Sequence, residues 1–295
     1  MCVLSRTQLI KTFCGKLRLL AKSFMGDYIL NADTAQYVFL DSGIGGLPYL
    51  KRLTDFFPEA SYAYVADIKH FPYGEKTLDE VIRFSSETVK KIIETVNPKI
   101  IVIACNTMSV SALPHLRASF RIPFVGTVPA IKPAAAVSKN KKIAVLATER
   151  TVNDIYTQKL IDEFGGNCHF FMRADSVLVK KIEEGILDSS ETEKKKIIFP
   201  AIEFFKAAGA DTAVLGCTHF LHLRDVFIQE CAPRIKIIDS LDGVVNQVLK
   251  ISPVDEAYKK KSKDKLYITA RKNSEIEKKY FAYAHRFNMQ LEYLQ

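Results

Sequence analysis

The sequence predicts an α/β protein made of two similar parallel-sheet α/β domains with the active site in the cleft between them. Three observations carry this expectation. Short apolar runs alternate with amphipathic segments along most of the 295 residues. Several of the runs are apolar throughout, as strands covered on both faces of a parallel sheet must be. The pattern is also stated twice, with polar residues at matching places.

In chain order, the first 35 residues show no period. Arg6, Lys11, Lys16 and Arg18 interrupt every apolar stretch there, and no small-residue cleavage site follows, so the segment reads as neither signal nor anchor but as an extension outside the core. Strands are expected at 37–41, 63–66, 99–104, 123–126, 142–147, 212–215, 235–239 and 266–269. Between 78 and 96, Leu78, Val81, Ile82, Val89, Ile92, Ile93 and Val96 recur at helical spacing, with Thr77 or Asp79 as cap and Asn97-Pro98 as the stop. The expected division is 36–132 plus 238–295 for one domain and 133–237 for the other.

The duplication is specific. Ile-Val-Ile-Ala-Cys-Asn-Thr at 101–107 and Ala-Val-Leu-Gly-Cys-Thr-His at 213–219 each set a cysteine just past an apolar strand and before a helix. Upstream, Val-Phe-Leu-Asp-Ser at 38–42 and Ala-Val-Leu-Ala-Thr at 144–148 end in small polar residues. The spacings are similar, 64 positions from Asp41 to Cys105 and 69 from Thr148 to Cys217. Ligands of open α/β sheets bind at the carboxyl ends of strands, so two facing halves would hold one ligand between two thiols.

Cys105 and Cys217 are therefore the candidate reactive groups. A lone cysteine is usually a small buried hydrophobe, which is how Cys2, Cys14, Cys168 and Cys231 are read. A helix N-terminus lowers a thiol pKa, so thiolates near neutral pH are expected at both sites, able to act as general bases. Asp41-Ser42-Gly43-Ile44-Gly45-Gly46 offers backbone N–H groups for an anion, although glycines serving a tight turn would look the same. Pro48 stands where a dinucleotide fingerprint needs its third glycine, and the Lys-Ser/Thr of a P-loop is missing. Phe71-Pro72-Tyr73-Gly74 reads as a loop, and His219 lies close enough to Cys217 to exchange protons with it. Glu183, before Gly185 at a helix end, is equally readable as a solvated residue.

Composition removes other classes of function. The 42 basic and 33 acidic residues leave +9, but the lysines are scattered in short runs, so no nucleic-acid partner is expected. No apolar run approaches the ~20 residues a bilayer needs. Six cysteines without C-x-x-C pairs or zinc spacing point to a reducing, cytoplasmic setting, with no disulfide framework and no metal site.

Together the motifs resemble the glutamate racemase family of the aspartate/glutamate racemase superfamily. The matching stretches are V-F-L-D-S-G-I-G-G-L (38–47), P-Y-G-E-K-T (72–77), I-V-I-A-C-N-T (101–107), V-P-A-I-K-P-A (128–134), I-E-E-G (182–185) and L-G-C-T-H-F (215–220). The resemblance implies a two-base racemase, free of cofactors, that supplies D-glutamate for peptidoglycan. It assigns Cys105 to the α-proton of D-glutamate and Cys217 to that of L-glutamate, with Asp41 assisting the first thiol and Glu183 and His219 the second. Substrate contacts carried over are Asp41, Ser42, Tyr73, Gly74, Asn106, Thr107, Thr148, Thr218 and His219. The chain departs from the family at Leu221-His222, where proline is common, and at A-T-E-R-T (147–151), in place of a glycine-threonine start. An aspartate or related racemase would share fold and thiols, though glutamate usually stands there in place of His219. A two-lobe binding protein without chemistry is the alternative from another class, and oligomeric state stays open, a homodimer included.

Overall fold

The computed structural model describes residues 34–269 and 274–294. The expected N-terminal extension therefore lies almost wholly outside the described residues. At its very end Ala35 is already buried, and its carbonyl accepts the Lys99 N–H.

The chain runs β1 (Tyr37–Asp41), α1 (Leu47–Phe56), β2 (Tyr62–Ala66), α2 (Leu78–Val96), β3 (Ile100–Ile103), α3 (Asn106–Ser119), β4 (Phe124–Gly126), α4 (Ile131–Val137) and β5 (Lys142–Ala147). It continues through α5 (Glu149–Asn153), α6 (Ile155–Phe164), β6 (His169–Ala174), α7 (Ser176–Glu183), α8 (Glu191–Ala207) and β7 (Thr212–Leu215). The last elements are α9 (Arg224–Cys231), β8 (Lys236–Ile238), α10 (Leu241–Ile251), β9 (Lys265–Ile268), α11 (Ser274–Arg286) and β10 (Gln290–Tyr293).

Two parallel sheets result, ordered β10-β9-β2-β1-β3-β4 and β6-β5-β7-β8. The second order repeats the last four strands of the first, β2-β1-β3-β4, with every strand advanced by four. β1 beside β3 carries Asp41 and Cys105, and β5 beside β7 carries Thr148 and Cys217, so the duplicated motifs occupy equivalent strand ends. The chain leaves the first sheet after β4 and returns to it after β8, where α10 packs on α1. Leu47, Leu50 and Leu53 of α1 and Val244, Val245 and Val248 of α10 are buried. Each such side chain contributes roughly 1.5–3 kcal/mol on burial.

The local signals that define these elements are visible in the geometry. α2 starts in a capping box, with Thr77 bonded to the Glu80 N–H and Glu80 bonded back, and stops at Asn97 with φ 45° before Pro98. Pro48 sits in the first turn of α1, where its missing N–H costs nothing. Two strands escaped the sequence reading, β6 and β10, both at sheet edges. Their residues are only half buried, so neither is an unbroken apolar run. β6 was still predictable, since the duplication requires a counterpart to β2. The segment after Cys217 also differs from expectation, being a short 3-10 helix (Thr218–Leu223) that leads into α9.

Candidate active site

Cys105 closes the extended backbone after β3 and stands as the N-cap residue of α3, while Cys217 stands in the same place ahead of the 3-10 turn. Both are nearly buried and line one cavity with Ser42, Tyr73, Gly74, Asn106, Thr107, Thr148, Thr218 and His219. Ten of the residues singled out in the sequence thus meet between the two sheets. The free volume is about 20 Å³, room for one water, so a larger ligand enters only when the walls part. Larger clefts exist, of about 480 Å³ beside Pro129 and Asp239 and about 660 Å³ beside Arg173 and Pro200, but neither holds a thiol.

Asp41 and Glu183 stand behind the cavity wall, one on each side. The Asp41 carboxylate accepts the Gly43 N–H at 2.8 Å, the Ser42 hydroxyl at 3.2 Å and, from the other domain, the Thr218 hydroxyl at 2.9 Å. Burial lifts its pKa against these hydrogen bonds and the charge of His219. Burial also pushes the Cys105 thiol well up, and the nearby Asp41 charge adds to this against the Met108 N–H. The expectation of a thiolate at Cys105 is therefore corrected: in this site desolvation outweighs the helix N-terminus and disfavours the charged form of the sulfur.

Around Cys217 the electrostatics differ. His219 Nδ1 lies 4.0 Å from Cys217 Sγ, and its Nε2 lies 3.1 Å from Glu183 Oε2. Burial favours a neutral ring, but the hydrogen bonds to Cys217 and Glu183 prevail and raise its pKa to about 10. Glu183 is likewise opposed by burial, yet His219 and Lys279 bring it down to about 2. An imidazolium between a carboxylate and a sulfur can hold negative charge on that sulfur or return a proton to it.

The glycine-rich turn does something other than expected. The Gly43 N–H is taken by Asp41, the Ile44 N–H by Glu183 at 3.0 Å and the Gly46 N–H by the Tyr64 hydroxyl. The carboxylates served by the first two of these donors belong to the protein. Glycines here permit approach: a Cβ on Gly43 would lie 2.3 Å from Glu183 Oε2, and one on Gly45 would lie 2.5 Å from His219 Nδ1.

Tyr73 lines the cavity with its ring, while its hydroxyl donates to Asp67 at 2.5 Å. Asp67 also accepts from Thr88 and Thr269 and pairs with His70, which stacks on Phe84. These partners overcome burial and lower its pKa. The loop carrying Tyr73 and Gly74 is thus tied to β2 from below. From the other side, Arg150 Nε donates to the Lys76 carbonyl, and Thr107 shares a hydrogen bond with Thr148 at 2.9 Å. A donor remains: the Nδ2 of Asn106 is buried on the cavity wall with no partner among the described residues. Such a group is costly unless a ligand satisfies it.

Sequence reasoning missed Ser176 and Val179 of α7 as lining residues, as well as Glu75. The signal was available for the first two, since 176, 179 and 183 fall on one helical face with Glu183. The departure at His222 also acquires a role. Its ring, kept neutral by burial that lowers its pKa to about 4, donates Nε2–H to the Ile44 carbonyl across the domain seam. Among the described residues no three His, Cys, Asp or Glu side chains are grouped to hold a metal, and no helix is long and apolar enough to cross a membrane.

The Asp/Glu/Hydantoin racemase family model matches residues 50–248. A glutamate racemase of Treponema pallidum (strain Nichols) is 42% identical over 255 residues, covering 86% of this chain and 94% of its own. One from Shewanella sp. (strain MR-7) is 40% identical over 212 residues, covering 70% and 76%. Among solved structures, Escherichia coli glutamate racemase in complex with L-glutamate and the activator UDP-MurNAc-Ala superposes with TM-score 0.77 at 30% identity, covering 88% of this chain and 98% of that one. The enzyme from Aquifex pyrophilus gives 0.67 at 28% identity, with coverage of 88% and 98%. Fold, paired strand-end thiols and overall similarity agree, and the chain belongs to the glutamate racemase family within the Asp/Glu/Hydantoin racemases.

Proposed function

We propose that this chain interconverts L- and D-glutamate without a cofactor, using Cys105 and Cys217 as the two acid–base groups. The observation that carries the reading is one closed cavity walled by a thiol from each domain. Inversion at an α-carbon passes through a planar carbanion, which must be reprotonated on the face opposite the one deprotonated, so two groups on opposite faces suffice. One must begin with its proton and the other without it. Cys105, whose charged form is disfavoured by burial and Asp41, suits the donor role for L-glutamate, while His219, 4.0 Å from the Cys217 sulfur, is placed to exchange a proton with it. In the reverse direction Cys105 takes the proton and Cys217 returns one.

Substrate contacts follow from the same wall. Asn106 Nδ2, without a partner among the described residues, offers a donor to a substrate carboxylate, and the hydroxyls of Ser42, Thr107, Thr148 and Thr218 surround the same space. Tyr73 and Gly74 close the roof, Tyr73 by its ring. We infer that the reaction takes place in a reducing cytoplasm and supplies D-glutamate for peptidoglycan. The test is racemisation followed in deuterated water. Newly formed product should carry solvent deuterium at the α-carbon while unreacted substrate stays largely protiated. Failure to change the optical rotation of either glutamate enantiomer would leave the two-lobe binding reading in its place.

A further inference from the structure

The Glu183 carboxylate is held from both sides of the domain seam. It belongs to α7 of the second domain, as does its partner His219 after β7. Its other three donors are on the first domain: the Ile44 N–H at 3.0 Å on Oε2, and Lys279 Nζ at 2.8 Å with the Tyr280 hydroxyl at 2.7 Å on Oε1. With His219 these four donors use the lone pairs of both oxygens. Lys279 and Tyr280 lie on α11, outside the cavity that holds the thiols, and Tyr280 is fully buried.

We propose that Lys279 and Tyr280 are positioning residues for the Cys217 half of the reaction. They fix the carboxylate that orients His219, and they do so only when the domains are closed. If the seam opens, Glu183 loses three of its four donors at once, and the His219 ring loses its fixed anion. The Cys105 half is less dependent, because two of the three donors to Asp41, Gly43 N–H and Ser42, sit on its own strand end. A site that must open to admit substrate thereby readies its second acid–base group on closing. Neither Lys279 nor Tyr280 lines the cavity that holds the thiols, so they act through Glu183 and His219.

This rests on the two-thiol reading, and its test separates the two. The variants are Tyr280→Phe, which keeps the ring, and Lys279→Met, at a half-buried position that tolerates the change; Lys279→Arg should restore function, and the exposed Lys278→Met is the control. Because the enantiomers are equal in energy, a defect on one face lowers kcat/KM equally in both directions, so rates alone cannot locate it. Isotope effects can. With glutamate deuterated at the α-carbon, Tyr280→Phe and Lys279→Met should lower kcat/KM by about tenfold or more, the scale of one lost hydrogen bond to a charged group. The primary isotope effect should rise for L-glutamate, whose proton goes to Cys217, and fall toward unity for D-glutamate. Equal changes for both enantiomers, or wild-type kinetics in both variants, would overturn the proposal. A wild type that does not racemise glutamate would instead overturn the functional reading on which it rests.

Discussion

Replacing Gly43 with alanine tests the closeness of the two domains at the site. The added Cβ would stand 2.3 Å from Glu183 Oε2 and 2.9 Å from its Cδ, whereas ordinary contact begins near 3.4 Å. The carboxylate must therefore retreat by about 1 Å, and a free glutamate side chain would do so cheaply. This one is pinned by four donors, and the retreat stretches its bonds to Ile44 N–H and His219 first. A hydrogen bond to a charged group is worth about 1.5–3 kcal/mol. The loss converts to roughly 10- to 150-fold in kcat/KM for either enantiomer. The backbone itself is not at issue, since Gly43 is not among the glycines with positive φ, so the first domain should fold unchanged. The assay is circular dichroism of glutamate solutions for activity, with thermal unfolding of the variant in parallel. A lowered melting temperature together with reduced kcat/KM is expected, since the stretched bonds contribute to stability as well as to the site. Wild-type kcat/KM in Gly43→Ala would refute the idea that glycine is there to let Glu183 approach.

Four further outcomes are expected. Cys105→Ser and Cys217→Ser should each lower racemisation by orders of magnitude, with the double variant costing far less than the product of the two, while Cys168→Ala stays near wild type in the same assay. The pair of Glu183 and His219 gives stability a defined pH window: Glu183, lowered to about 2 from 4.5, contributes fully above 4.5 and is lost as pH falls toward 2, and His219, raised to about 10 from 6.5, contributes fully below 6.5 and is lost as pH rises toward 10. Melting temperatures of wild type and His219→Gln measured from pH 6 to 10 should therefore converge as pH rises, and parallel curves would refute the pairing. Asp67→Asn and Tyr73→Phe should each raise KM for glutamate more than they lower kcat, and the double variant should be no worse than the more damaging single one, because Asp67 acts through the Tyr73 hydroxyl. Activity should survive exhaustive dialysis against a chelator, since two thiols meet the demand of inversion; restoration by an added metal would contradict this.

What the sequence alone determined was local or repeated. Unbroken apolar runs placed β1, β5 and β7 to the residue, and the capping pattern around Thr77 placed α2, because a strand end and a helix cap depend on neighbours a few positions away. The duplicated cysteine motif placed Cys105 and Cys217 at equivalent strand ends, since two copies of one strand–turn unit carry equivalent residues to equivalent sheet positions. Edge strands β6 and β10 were obscured because half-buried strands need no continuous apolar run. The tertiary structure decided what surrounds the chemistry. It spent the glycine-rich turn on the protein's own carboxylates, gave the Tyr73 hydroxyl to Asp67, and raised the Cys105 pKa through burial that no sequence window measures. It also brought Lys279 and Tyr280 to Glu183 across separations of 96 and 97 residues. Such contacts leave no period in the chain, because they are fixed by how two domains close on each other.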